Sequence, residues 1–309
     1  MPVDAAVLPA VLADLGTRVP GLRRDGWSPA TQGAVGHVLG LVDDDGDRWV
    51  LKVLGPGERD RWSTEVAALR LLGGVAGVPV PEVRVHGVTA DGTGYVLMTR
   101  LAGVRWSDRR ATLDAGTATA LTAAVGATLR RVHTVAGPWF GHLTATGTTR
   151  ATAWDSVAAR ATALLAEHRR VAGVCAFDAG VRAIVGDNRG AFEACAGPVL
   201  CHRDLVDANL LLDDLRPARV AGVVDLERAA WDDPMADLAL TRVHVRQHVP
   251  ADVGALLDGY GGLTAEEVTR ADVHEVLHLL AERSWVAVDQ PPGWRESVER
   301  LDGLLQERV

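Results

Sequence analysis

Three polar side chains in one short stretch constrain this chain more than any other feature. Val199-Leu200-Cys201 leads into His202-Arg203-Asp204, and Asn209 follows five residues after Asp204, just before Leu210-Leu211-Leu212. Sixteen residues after Asn209 stands Asp225, inside Val223-Val224-Asp225-Leu226-Glu227. Leu210–Leu212 and Val220–Val224 read as short apolar strands, and the turn-rich Asp213-Asp214-Leu215-Arg216-Pro217 folds the chain back between them. Asn209 and Asp225 are equidistant from position 217, so antiparallel pairing sets their backbones roughly 5 Å apart. Both side-chain oxygens then reach one small hard cation, as Mg²⁺ on a nucleotide triphosphate requires. Asp204 is left as a carboxylate base, so the fold must present a loop and a hairpin together.

The basic residues sharpen this reading. Of 32 lysines and arginines the single lysine is Lys52, in the apolar strand pattern Arg48–Leu54. A bias toward arginine explains the missing lysines and leaves the retained one unexplained. An ammonium is a compact point charge where a guanidinium is a planar fork, so a site reaching between phosphates resists replacement by arginine. Glu65 shares a helix face with Leu69 and Leu72, at i, i+4 and i+7, which turns it inward toward Lys52. The alternative for Glu65 is a surface pair with Arg61. The segment Ser28–Gly36, with Gly33 and Gly36, is expected to cover the phosphates through backbone N–H groups, although it matches neither GxGxxG nor a Walker A pattern.

With 309 residues, 48% of them hydrophobic, the chain can bury a sizeable core. A net charge of −8 argues against nucleic-acid binding. Cys175, Cys195 and Cys201 form no CxxC pair and read as reduced, mostly buried thiols. No basic amino-terminal region precedes an apolar run, and no apolar stretch of about 18 residues occurs, so the expectation is a cytoplasmic protein with no membrane segment.

Periodicity predicts a helix over Val3–Leu15, strands near 36–42 and 48–54 around the acidic turn Asp43–Asp47, a helix over Glu58–Leu72, and strands at Val83–Val88 and Tyr95–Arg100. Beyond Gly103 the pattern turns helical: Leu113–Val135, Thr152–Arg170, Asp178–Ala196, Met235–Val249, Ala251–Tyr260, Thr264–Asp289 and Gly293–Gln306. The reading is an α+β chain of two lobes. An amino-terminal antiparallel sheet lobe with one main helix spans residues 1–101, and a mostly helical lobe with the catalytic hairpin spans 102–309, divided near 98–104.

These residues in this order resemble the aminoglycoside phosphotransferase family, which has a protein-kinase-like fold. The resemblance runs from about Ser28 to Ala239 and is most specific over 199–239. It implies an ATP-dependent kinase, with GTP as the alternative donor, and Mg²⁺ as its metal. By that resemblance Asp204 is the catalytic aspartate, Asn209 and Asp225 are the metal ligands, and Lys52 with Glu65 is the phosphate-binding pair. Met98–Leu101, including Thr99 and Arg100, is similar to the hinge that meets adenine. Asp237 looks like the residue that braces the catalytic loop, and His202 like an orienting residue with a structural role. The family commonly has glycine where this chain has Arg203, which is expected to pair with a nearby carboxylate such as Asp237. Val206, the Leu-Glu after Asp225 and the twelve-residue gap between Asp225 and Asp237 argue against a protein substrate.

The acceptor implied by the resemblance is the hydroxyl of an aminoglycoside or related cationic antibiotic. Asp207, Glu227, Asp232 and Asp233 are candidates to attract it by charge, Trp231 by stacking, and Glu282 with Trp285 as a further wall. The alternatives are a metabolite kinase for choline, homoserine or a sugar, and a catalytically silent nucleotide-binding protein. A choline cage would have only Trp231 and Trp285 to build it.

Overall fold

The computed structural model describes residues 7–29, 32, 36–144, 147–173, 177–248 and 253–309; Gly33 and Cys175 lie outside them. The chain forms two compact units. The first runs to Leu113 and takes back Asp207–Ala229, and the second holds Asp114–Val206 and Ala230–Val309.

In the first unit α1 (Leu8–Arg18) starts with Pro9 in its first turn, where the missing N–H forfeits no helical bond. After it come β1 (Arg23–Arg24), β2 (Gly36–Val42), β3 (Arg48–Leu54), α2 (Arg59–Leu72), β4 (Val83–Val88) and β5 (Gly94–Thr99). The five strands form one antiparallel sheet in the order β1-β2-β3-β5-β4. The acidic turn between β2 and β3 is organised by Asp43, whose carboxylate accepts from the N–H groups of Asp45 and Asp47 and from Trp49 Nε1. Strand alternation sorts the core. Leu39, Leu41, Leu51 and Val53 pack with Val11 and Leu15 of α1, which leaves Lys52 on the opposite face. β6 (Val104–Arg105) and α3 (Trp106–Arg109) close this part of the unit.

The second unit begins with α4 (Ala115–Val132), N-capped by Asp114 through the Thr117 N–H. It continues through β7 (Phe140–His142), β8 (Thr149–Arg150), α5 (Ala153–Ala172), α6 (Asp178–Asp187), α7 (Arg189–Glu193) and β9 (Val199–Cys201). The single helix expected over Asp178–Ala196 is broken at Asn188, whose side-chain amide donates to the Ile184 carbonyl and so competes with helical bonding. The chain then returns to the first unit as the hairpin β10 (Leu210–Leu212) and β11 (Val220–Val223). β10 pairs with β6 as well as β11, and the Val223 N–H donates to the Pro79 carbonyl at 2.8 Å. Those bonds are why residues 207–229 belong to the first unit, and why the chain divides at Leu113, beyond the 98–104 read from composition.

β12 (Ala230–Asp232) lies between β7 and β9 in a four-stranded sheet of the second unit. The remaining helices are α8 (Pro234–His248), α9 (Val253–Tyr260), α10 (Ala265–Asp289) and α11 (Trp294–Gln306). Their core joins Val157 and Leu165 of α5 to Val276, Leu277 and Leu280 of α10 and Leu301 and Leu305 of α11. α4 and α9 touch backbone to backbone. A Cβ on Gly126 would fall 2.1 Å from the Leu256 carbonyl oxygen, and one on Gly259 would fall 2.0 Å from that of Ala123. Among the described residues no helix is long and apolar enough to cross a membrane.

Candidate active site

Within the first unit, Lys52 is the centre of the charged cluster. Its Nζ lies 2.8 Å from Glu65 Oε2, 2.5 Å from Asp225 Oδ1 and 2.9 Å from Glu227 Oε2. Strand alternation presents Lys52, α2 supplies Glu65, and the segment after β11 supplies the other two. Burial alone would push the ammonium toward neutrality; the charges of Glu65, Asp225 and Glu227 overturn that and hold it protonated, well above the ordinary lysine value. The surface pairing of Glu65 with Arg61 is not found. Arg61 instead pairs with Glu58 at 2.6 Å and with Glu227 Oε1 at 2.8 Å.

The hairpin differs by one residue from the register read in the sequence. Leu210 faces Val223 and Leu211 faces Gly222, but a bulge then sets Leu212 against Val220. Extending this register puts Asn209 beside Val224, whose N–H donates to the Asn209 carbonyl at 3.0 Å. Asp225 is therefore one residue past the expected pairing. Its φ of +66° turns the chain there and delivers the carboxylate to Lys52. A left-handed φ on a residue other than glycine costs about 1–2 kcal/mol, which the Lys52 pair helps offset.

The residues expected to form the nucleotide loop and the hinge lie, where described, around the same sheet. Ser28 is exposed, and Gln32 clamps β2 with two amide bonds to the Val38 backbone, at 2.8 and 2.9 Å. Gly36 lies so close to β3 that a Cβ would meet the Val53 carbonyl at 3.2 Å and the Lys52 stem at 3.6 Å. Met98 is buried in β5; the Thr99 N–H bonds to the Glu82 carbonyl and the Arg100 N–H to the Arg48 carbonyl. The Arg100 guanidinium pairs with Asp25 at 2.6 Å and lies over the Trp27 ring. These two backbone donors are thus already committed to the sheet.

In the second unit Asp237 is wholly buried at the start of α8. It accepts from the His202 N–H through Oδ2 and the Arg203 N–H through Oδ1, each at 2.6 Å. His133 Nε2 lies 3.4 Å from Asp237, and its Nδ1 lies 2.8 Å from the Tyr260 hydroxyl. Burial pushes the Asp237 carboxyl up, but the bond and charge of His133, the charge of His202 and the Arg203 N–H outweigh it and hold it below the usual carboxylate value. Asp204 follows directly on this anchored pair and is half-buried. Arg203 departs from expectation. Its backbone, at φ +65°, is what meets Asp237, while its guanidinium pairs with Asp232 at 2.8 Å.

The residues expected to meet an acceptor are mostly committed internally. Asp207 pairs with Arg110 at 2.5 Å in the first unit, and Glu227 belongs to the Lys52 cluster. In the second unit Asp232 holds Arg203, and Asp233 holds Arg270 at 2.9 Å and His274 at 3.2 Å. Trp231 is a buried β12 residue packed on Gly137, where a Cβ would meet its ring at 2.4 Å, so it is no free stacking platform. Glu282 pairs loosely with Arg300 at 3.6 Å, and Trp285 is 54% exposed. Sequence reasoning missed Arg110, His133, Arg270 and His274 as partners, and Arg61 as the partner of Glu227, since long-range ion pairs leave no local spacing signal.

Two cations, Lys52 and Arg61, face four carboxylates, Glu58, Glu65, Asp225 and Glu227. Carboxylate oxygens of Glu65, Asp225 and Glu227 lie within 4.8 Å of one another. A hard oxygen donor set with surplus negative charge fits a divalent cation bound together with phosphate.

A family model described as "Phosphotransferase enzyme family" matches residues 27–274. No curated protein sequence matches the chain. Among solved structures, it is similar to a thermostable mutant of aminoglycoside phosphotransferase APH(4)-Ia in ternary complex with AMP-PNP and hygromycin B, at 18% identity and TM-score 0.67, covering 96% of this chain and 98% of that one. Macrolide 2'-phosphotransferase MphH from Brachybacterium faecium is 22% identical, with a TM-score of 0.65 and coverage of 94% and 97%. The GDP complex of aminoglycoside 2'-phosphotransferase-IIIa is 16% identical, with a TM-score of 0.63 and coverage of 96% and 97%.

Proposed function

Because the chain belongs to the phosphotransferase enzyme family, we propose that it transfers the γ-phosphoryl group of ATP, in the presence of Mg²⁺, to a hydroxyl of an aminoglycoside or related cationic antibiotic. The observation that carries the reading is the Lys52 cluster, a buried ammonium held between a helix glutamate and the carboxylate that follows the hairpin. In this reading Asn209 and Asp225 hold the metal, and Lys52, oriented by Glu65, holds the phosphates. Bound Mg²⁺–ATP supplies the transferable phosphoryl group and neutralises its charge. With the Thr99 and Arg100 N–H groups committed, the reading assigns the Leu101 N–H as a hinge donor to adenine. Asp204 orients the acceptor hydroxyl and takes its proton, while Asp237 fixes the preceding two backbone N–H groups. Phosphoryl transfer has a loose transition state, so positioning and charge do most of the work.

The internal pairing of Asp207, Asp232 and Asp233 favours a second acceptor reading within the same chemistry. These carboxylates are matched by Arg110, Arg203 and Arg270, and Arg160 adds a guanidinium near Asp232. An acceptor with one amine or none, such as a macrolide, then fits better than a polycation. A choline cage loses support, since Trp231 is buried.

The test is coupled ADP release from purified protein with ATP and Mg²⁺ across aminoglycosides, macrolides, peptide antibiotics, choline and homoserine. Stimulation by an antibiotic is expected, and Asp204→Asn should lower it about 10²–10⁴-fold while leaving nucleotide affinity within twofold. Turnover unchanged in that variant would sink the assigned base, and stimulation by a metabolite alone would move the protein to the metabolite-kinase class.

A further inference from the structure

An ammonium has three N–H donors. At Lys52 three carboxylates share them, at 2.5, 2.8 and 2.9 Å, so an incoming phosphate oxygen must displace one. Glu65 is 2% exposed and held within α2's buried face, and Asp225 has the metal as its own destination. Glu227 is not one of the two residues proposed to hold the metal, and it also touches a second cation. Its Oε2 is on Lys52 and its Oε1 is on Arg61 Nη1, 2.8 Å away on α2, one turn before Glu65. We propose that Glu227 is a placeholder for the nucleotide phosphate on Lys52, and that Arg61 is the cation that receives it when nucleotide binds. The proposal rests on the phosphotransferase reading and adds a positioning pair to it.

The chemistry of the exchange is balanced. A phosphate oxygen takes the Lys52 N–H that Glu227 gives up, and the Arg61 fork, which already holds one Glu227 oxygen, can take both. No charge is left buried without a partner, which is the costly outcome when one member of a buried pair is removed. Without nucleotide, Glu227 keeps Lys52 in place in the same way.

The placeholder predicts a specific non-additivity in ADP affinity, measured calorimetrically without turnover. Glu227→Gln should bind ADP about 5-fold or more tightly than wild type, because phosphate no longer competes with a carboxylate. Arg61→Gln should bind about 5-fold more weakly, because Glu227 has no second cation to accept it. The double variant should match Glu227→Gln, since Arg61 matters only through Glu227. Weaker binding by Glu227→Gln, or an Arg61→Gln loss that persists in the double variant, overturns the placeholder and leaves a static ion pair. If Glu227→Gln melts too low to titrate, Arg61→Gln alone decides, and wild-type affinity there overturns the proposal. Wild-type protein that binds no ADP sinks the phosphotransferase reading and the placeholder with it, an outcome distinct from normal binding without coupling.

Discussion

Arg203 illustrates how one residue carries two separable jobs. Its left-handed backbone aims the N–H at Asp237, and its side chain ties Asp232. Arg203→Gly would shed a backbone cost of about 1 kcal/mol while losing the ion pair, whereas Arg203→Ala would lose the pair and keep the cost. The alanine variant should therefore be less stable than the glycine variant by about 1 kcal/mol in denaturant titration; equal stabilities would mean the backbone is not strained there. Asp237 is expected to act on turnover through its two backbone acceptor bonds. Asp237→Asn replaces one carboxylate oxygen by a donor facing an N–H, so kcat should fall at least about tenfold with KM for ATP little changed. A rise confined to that KM would contradict the bracing role. At this scale the sequence was informative where chemistry forces an unusual residue, as at the lone Lys52 and its helix-facing Glu65. It was silent on Arg110 with Asp207 and Arg270 with Asp233, where the partners lie far apart along the chain and any arginine could have served. The pairing of Glu227 with Lys52 and Arg61 was equally unreadable, since an acidic residue beside a site reads alike whether it faces a ligand or an internal cation.

Elements longer than about ten residues were legible, because apolar period and caps agree within them. Asp114 and Thr152 cap α4 and α5, and Thr264 with Glu267 forms a reciprocal capping box on α10. Among the strands of two or three residues, β1, β6, β7, β8 and β12 carry too few positions to show a period; β6 pairs with β10 of the hairpin and β12 with β9 just before Asp204. The glycines of α4 and α9 were equally unreadable, since a helical glycine looks like a propensity fault until the facing backbone is known. Gly126→Ala and Gly259→Ala should each cost about 1–3 kcal/mol despite the better helix propensity of alanine. Thermal melting checks this, and a rise in midpoint would mean the two helices separate without penalty.

For the whole molecule, buried ionisation should make stability fall with acid in two stages. Burial, with the charge of Arg160 next in weight, pulls His278 well below its usual 6.5, so its contribution is intact above that pH and is lost as pH drops beneath it. Asp233 and Glu275 oppose their own burial with partners, His274 and Arg270 for the first and Arg242, Arg246 and Arg308 for the second, and both are held below their usual values of 3.8 and 4.5. Their contribution is present above those values and disappears as pH falls through the lower folded ones. Unfolding free energy measured between pH 8 and 3 should therefore decline first from about 6.5 and again below about 4.5, and His278→Gln should flatten the first decline. A slope unchanged in that variant would assign the loss to another group. The path of the chain has a further consequence, for synthesis. The first unit is finished by residues 207–229, which leave the ribosome only after the whole of Asp114–Val206 has been made. A nascent chain of about 110 residues thus emerges with β6 unpaired by β10, and at roughly 5–20 residues per second it waits several seconds for the hairpin that supplies β10. That interval is a built-in window of vulnerability, in which a holdase or a slowed codon stretch would affect yield without touching the native state.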